Sequence, residues 1–275
     1  MTMNDTSLPA RLPGRALLDL TGPEARALLQ RVITTDVEGQ PDTEARTGAL
    51  LTPQGKIIVD FLVFVRGDTV WLDVPESEAD ALLKRLTLYR LKADVTLSRR
   101  DDLVSVWSHK SFKGAVDDPR LNGVYRGITE ISEAGETADL TPVELEQGVP
   151  VFGRDYAGSA VFPTDVNLDA YSGIGWTKGC FIGQEVVSRM KRRGTIRKRT
   201  LAVTCEDQAP TAGTPLTADG VAVGEITASS GSSATALIRL DKLDKVDAPL
   251  VAGDCRVTVH RRAELEPDDA APKIQ

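Results

Sequence analysis

Residues 57–65 read Ile-Ile-Val-Asp-Phe-Leu-Val-Phe-Val, an almost unbroken apolar run between turn residues. A run of that length and composition is a strand, and one this apolar belongs at the centre of a sheet. Its neighbours follow from it. Thr52-Pro53-Gln54-Gly55 supplies turn chemistry back to a strand over 48–51, and Arg66-Gly67-Asp68 turns it into a strand over 70–74. A helix is expected over about 78–91, with Ser77 as its cap and Leu82, Leu83, Leu86 and Tyr89 on one face. Strands return over 94–97 and 103–107. Strands and a helix joined by short connections point to an α+β fold rather than a doubly wound one.

Upstream, residues 15–20 read as a strand. Gly22 and Pro23 open a helix whose Ala25, Leu28, Leu29, Val32 and Ile33 recur at helical spacing. Residues 108–148 mix short apolar pieces with Gly, Pro and acidic residues and read as loops, with one helical turn from Thr141. From Thr200 the character changes. Short β-prone pieces over 201–204, 221–227, 235–240 and 255–260 alternate with Gly, Pro and Ser, the spacing of a small barrel. The expected division is an α/β region over 10–199, a barrel over 200–262 and a disordered acidic tail over 263–275. The α/β region is expected to hold two interleaved subdomains, with 45–107 as one ferredoxin-like unit.

No apolar run is long enough to span a bilayer, and the first nine residues lack the basic and apolar segments of a secretory signal, so the default expectation is a cytoplasmic protein. A net charge of −7 argues against wholesale nucleic-acid binding. The three cysteines, Cys180, Cys205 and Cys255, are too few and too widely spaced for a disulfide framework or a self-contained cluster site. His109 and His260 are isolated, so no metal site is expected.

One stretch concentrates chemistry. Gly179 and Gly183 bracket Cys180, which puts the thiol on a tight turn. Lys178 precedes it, and Arg189, Lys191, Arg192, Arg193, Arg197, Lys198 and Arg199 follow, a positive concentration in an acidic chain. Cations and a helix start at Gln184-Glu185 would favour a thiolate at Cys180. Glu185 and Arg189 would share a helix face at i,i+4. The plain alternatives are a small buried Cys180, core packing for Trp176 and Phe181, and a solvated basic face.

Lys178-Gly179-Cys180-Phe181-Ile182-Gly183-Gln184-Glu185 resembles the K-G-C-[FY]-x-G-Q-E signature of the YgfZ-like proteins, relatives of the T-protein of the glycine cleavage system. Gly148-Val149-Pro150, Phe162-Pro163, Asn167-Leu168-Asp169, Arg189, Gly194 and Arg199 are similar to the flanking pattern, as are Thr35-Asp36-Val37, Gly55-Lys56-Ile57 and Gly224-Glu225-Ile226-Thr227. The pattern's Arg before the Gly-x-Pro segment is absent, where Glu144-Leu145-Glu146-Gln147 stands. The resemblance implies a T-protein-like multidomain body around a central folate channel, closed by a C-terminal β-barrel. It implies tetrahydrofolate or a related folate as cofactor. Lys178, Trp176, Phe181, Gln184, Glu185, Arg189 and Arg199 would be cofactor-binding residues, and Cys180 the functional thiol.

The function so implied is a folate-binding accessory protein for assembly or repair of [4Fe–4S] clusters, with iron–sulfur client or assembly proteins as partners. The alternatives are a tetrahydrofolate-dependent one-carbon transferase and an RNA-binding factor linked to tRNA modification. The transferase needs a carboxylate near the reacting nitrogen. Asp73, in Trp71-Leu72-Asp73-Val74, is the candidate.

Overall fold

A computed structural model describes residues 8–192, 196–262 and 265. The first part runs β1 (Ala10–Arg11), β2 (Arg15–Thr21), α1 (Ala25–Val32), β3 (Ala45–Leu51), β4 (Ile57–Arg66), β5 (Thr69–Pro75) and α2 (Ala79–Arg90). It continues through β6 (Thr96–Arg100), β7 (Leu103–Ser108), β8 (Val116–Asp117), β9 (Tyr125–Glu130) and α3 (Thr141–Glu146). After a long irregular stretch come α4 (Gln184–Arg192), β10 (Lys198–Cys205), β11 (Pro215–Ala218), β12 (Val221–Ser230) and β13 (Ser233–Arg239). A short α5 (Leu240–Leu243), β14 (Leu250–Ala252) and β15 (Cys255–His260) complete it.

The strands form a five-stranded sheet in the order β3-β4-β5-β2-β6, a four-stranded sheet β1-β7-β9-β8, and a closed barrel β10-β13-β12-β11-β14-β15. The apolar run is β4, flanked by β3 and β5 inside the larger sheet. Successive side chains of a strand point to opposite faces. Val59, Phe61, Val63 and Val65 accordingly pack with Leu28 and Leu29 of α1 and Leu82 and Leu86 of α2. Leu62 and Phe64 face the other way, toward Val116 and Ile128 of the smaller sheet.

Three expectations are corrected here. The bounds 45–107 do not hold: β2, α1, β4, β5, α2 and β6 make the ferredoxin-like arrangement, with β2 between β5 and β6 and β3 added at the edge, while β7 leaves to pair with β1 and β9 in the other sheet. Residues 108–148 are not all loop, because β9 pairs with β7 along its whole length. Its alternation is masked by Arg126, which faces inward and is fully buried. Ser77 caps nothing; a 3-10 turn over Glu76–Glu78 leads into α2 without a side-chain cap. The tail over 263–275 lies outside the described residues except Leu265, which packs into the barrel core.

The barrel docks through polar contacts. Asn167 Nδ2 donates to the Thr200 carbonyl at 2.7 Å, and the Thr200 hydroxyl donates to the Asp165 carbonyl at 3.0 Å. Asp155 accepts from the hydroxyls of Thr227 on β12 and Thr235 on β13. Gly148, at φ +67°, lies so close to β10 that a Cβ there would sit 2.5 Å from the Ala202 nitrogen.

Candidate functional site

The Cys180 loop is held by two side chains that point inward on either side of the thiol. Lys178 Nζ donates to the carbonyls of Ile33 at 2.8 Å and Thr35 at 2.6 Å, just beyond the end of α1. Burial lowers its pKa to about 8, against the pull of Asp36 and Glu38. Phe181 is buried beside Leu51, Ile57 and Val187. Cys180, between these anchors, is exposed. The thiol is therefore presented outward by a loop fixed at both neighbours.

Of the two bracketing glycines, Gly183 shapes the loop. Its φ is +79°, and a Cβ there would lie 2.7 Å from the Thr52 carbonyl oxygen of the β3–β4 turn. Gly179 sits in open space, with nothing within 4 Å of where a Cβ would stand, so it imposes no turn, contrary to the expectation. Gln184 begins α4, its backbone N–H donating to the Phe181 carbonyl at 3.2 Å.

The sequence-derived ligand set separates into different roles. Arg189 is exposed and pairs with Glu185 at 2.6 Å, one helical turn away. Lys191 Nζ lies 4.1 Å from the centroid of the half-buried Trp176 ring, a cation–π contact. Arg199 is buried and committed to the Asp169 carboxylate at 2.8 Å and the Thr164 carbonyl at 3.1 Å. Both of its terminal nitrogens are engaged, so it docks the barrel rather than reaching for an anionic tail. Lys178 and Phe181 are likewise spent on anchoring. What remains outward is Cys180 and the exposed cations Arg189, Lys191, Arg192, Arg197 and Lys198. Arg193 and Gly194 lie outside the described residues.

Asp73 does not join them. It is fully buried on β5, accepting from Arg15 Nε at 2.7 Å, from the Ser105 hydroxyl at 2.7 Å and from Arg126. Arg126 also reaches Asp118, which pairs with Arg120 at 2.9 Å. Burial alone would raise the Asp73 pKa, but Arg15, Arg126 and the Ser105 bond hold it below the ordinary carboxylate value. This carboxylate rivets the two sheets, and its oxygens are saturated.

Asp60 is placed differently from Asp73. It lies on β4, opposite Ala49 of β3, on the face turned away from α1 and α2. Protein surrounds it, yet it keeps partial solvent access. It makes no ion pair among the described residues. Desolvation raises its pKa, opposed by the more distant charges of Arg15 and Arg120 and by Tyr156. The Tyr156 hydroxyl faces it, and burial, with the Asp60 charge beside it, pushes the phenol well above its usual pKa. The cue in the sequence is an aspartate interrupting the apolar run at its fourth residue.

Comparison with known proteins places this geometry. Residues 197–266 match the CAF17 C-terminal β-barrel domain. The human protein named "Iron-sulfur cluster assembly factor IBA57, mitochondrial" is 30% identical over 279 residues, covering 85% of this chain and 78% of that protein. The IBA57 homolog of Phaeosphaeria nodorum is 30% identical over 224 residues, covering 70% of this chain and 54% of its own length, so the chain spans about half of that relative. The crystal structure of glycine cleavage system aminomethyltransferase T from Bartonella henselae superposes with a TM-score of 0.71 at 13% identity, over 94% of this chain and 87% of that one. The T-protein-like fold with a closed six-stranded barrel stands as expected. The relatives are named IBA57 rather than YgfZ, and their mitochondrial designation overturns the cytoplasmic expectation. By its identity to the human protein along most of both lengths, the chain belongs to the IBA57 family of iron–sulfur cluster assembly factors.

Proposed function

We propose that this protein is a folate-binding accessory factor that supports assembly or repair of [4Fe–4S] clusters in client enzymes through the Cys180 thiol. The observation that carries the reading is the thiol's presentation: exposed, beside a basic helix, on a loop pinned by Lys178 and Phe181. A thiolate is the form that ligates iron or exchanges a cluster. The cations of α4 suit an acidic partner surface.

The half-buried Asp60 carboxyl and the Tyr156 phenol facing it support the folate half. A reduced pterin carries ring N–H donors and a flat, weakly polar body, which suit a carboxyl and a phenol in a largely dehydrated slot. Asp60 and Tyr156 would meet the ring, and Arg120 lies on the same side to balance charge. When bound, the folate would supply one-carbon chemistry. The fold likeness to an aminomethyltransferase adds analogy to this, not a site.

Replacing Cys180 by Ala tests the thiol. Cells relying on the variant should lose [4Fe–4S] enzyme activities; wild-type levels would remove the thiol from the function. Titration with tetrahydrofolate tests the folate half: a ligand of the folded state must raise the melting temperature. Asp60→Asn should weaken that shift while leaving the protein folded.

Asp60 also favours a second reading, a folate-dependent one-carbon transferase, since it offers a carboxyl whose pKa burial raises and which is free of ion pairs among the described residues. Turnover of an aminomethylated carrier protein, lost in Asp60→Asn, would establish it. No turnover with folate bound would reject it.

A further inference from the structure

Two of the three cysteines, 50 positions apart in the chain, enter the same barrel core. Cys205 ends β10 and Cys255 begins β15, and the two strands are antiparallel neighbours with Cys205 opposite Val257. Residues two apart on a strand share a face, so Cys255 is the diagonal neighbour of Cys205 on the inward side. Cys205 is buried, whereas Cys255 is half-buried at the mouth of the β14–β15 turn, its thiol 3.4 Å from the Arg256 carbonyl. Both are strand-end residues, and the Cys205 thiol has the Cys255 thiol beside it. Neither belongs to the Cys180 loop or to the surroundings of Asp60.

We propose that Cys205 and Cys255 are a dithiol modification site that closes to a disulfide across the barrel seam. The oxidant is a small disulfide of the glutathione class. Cys255, the reachable thiol, loses its proton and attacks one sulfur of the small disulfide, expelling one thiolate and forming a mixed disulfide. Cys205 then loses its proton and attacks the Cys255 sulfur, expelling the second thiolate. Two protein thiols are oxidised, one small disulfide is reduced to two thiols, and the two protons go to the departing thiolates. Burial, with the Cys255 thiol beside it, pushes the Cys205 thiol up to about 11. This fixes the order: the buried thiol is a slow first nucleophile and acts second, once the mixed disulfide is already beside it. Closure ties β10 to β15 and encircles the strands between them, which removes freedom from the unfolded chain and stabilises the barrel.

The full chain should be equilibrated with mixtures of glutathione and glutathione disulfide, then mapped by non-reducing peptide mass spectrometry. Joined Cys205 and Cys255 peptides are expected, with a melting midpoint several degrees above the reduced form. Cys180→Ser should keep the link; Cys255→Ser should abolish it together with the shift. Cys205→Ala is the second arm, read by whether Cys255 stops at the mixed disulfide. Because Cys255 is half-buried, Cys255→Ser decides the matter if Cys205→Ala fails to fold. Glutathione retained on Cys255 in the wild-type chain, or oxidation confined to Cys180, would overturn the proposal.

Discussion

Asp60 and Asp73 occupy adjacent strands of one sheet, on the same face, and both are wrapped in protein. Their surroundings are opposite. Asp73 has two arginines and a serine on its oxygens, and its pKa is pulled down. Asp60 has a facing phenol and no ion-pair partner among the described residues, and its pKa is pushed up by desolvation. A paired buried carboxylate is spent on holding the fold. An unpaired one costs stability, and such a cost persists where a ligand or a reaction needs the group. Burial alone does not separate the two; the partners do.

The sharpest way to break this contrast is Asp73→Ala. It would leave Arg126 buried opposite Asp118 alone and cost about 3–5 kcal/mol, measured as a lowered urea midpoint. A midpoint within ~1 kcal/mol of wild type, the scale of an exposed pair, would mean the network is not structural. Acid should attack the same network. Against the desolvation that would raise it, Arg120 and Arg126 hold Asp118 at about 2, below an ordinary 3.8. Its contribution, on the order of 2 kcal/mol, is complete above the ordinary value and is lost as pH falls toward the folded one. Equilibrium unfolding across that acid range should show the decline, flattened in Asp118→Asn.

Ser105→Ala removes one of the bonds to Asp73 and should cost about 1 kcal/mol by urea titration. The smallest effect has the opposite sign. Asp60 has a raised folded pKa, so its penalty is absent below the ordinary carboxylate range and grows as pH rises through the folded value. Asp60→Asn should therefore match wild type near pH ~3 and be slightly the more stable near pH ~7, by thermal melts at both. A stability loss at neutral pH would place Asp60 with Asp73 as a structural group.

Much of this is readable in the chain. β4, both helices packed on it and four barrel strands lie where local periodicity puts them. β11 and β14 leave little trace because each is short, four and three residues, and interrupted by Pro or Gly nearby. β9 is hidden because its inward position is Arg126, whose apolar role is replaced by a salt bridge formed with a residue 53 positions away. The insertion of β2 between β5 and β6, and the departure of β7 to the other sheet, have no local signal at all. At the site, Cys180 and the i,i+4 pair Glu185–Arg189 are legible from composition and spacing. Arg199 and Asp73 are not, since only the fold reveals that Asp169 and Arg126 consume them.

Lys178 grips the carbonyl oxygens of Ile33 and Thr35, not their side chains. Every residue type supplies a backbone carbonyl, so substitutions at positions 33 and 35 leave the acceptors in place as long as the chain keeps its path. The burden of aiming Cys180 then falls on one lysine and on the course of the backbone. A lineage can rewrite the lining of this corner, adapting it to new partners, without losing the thiol's position.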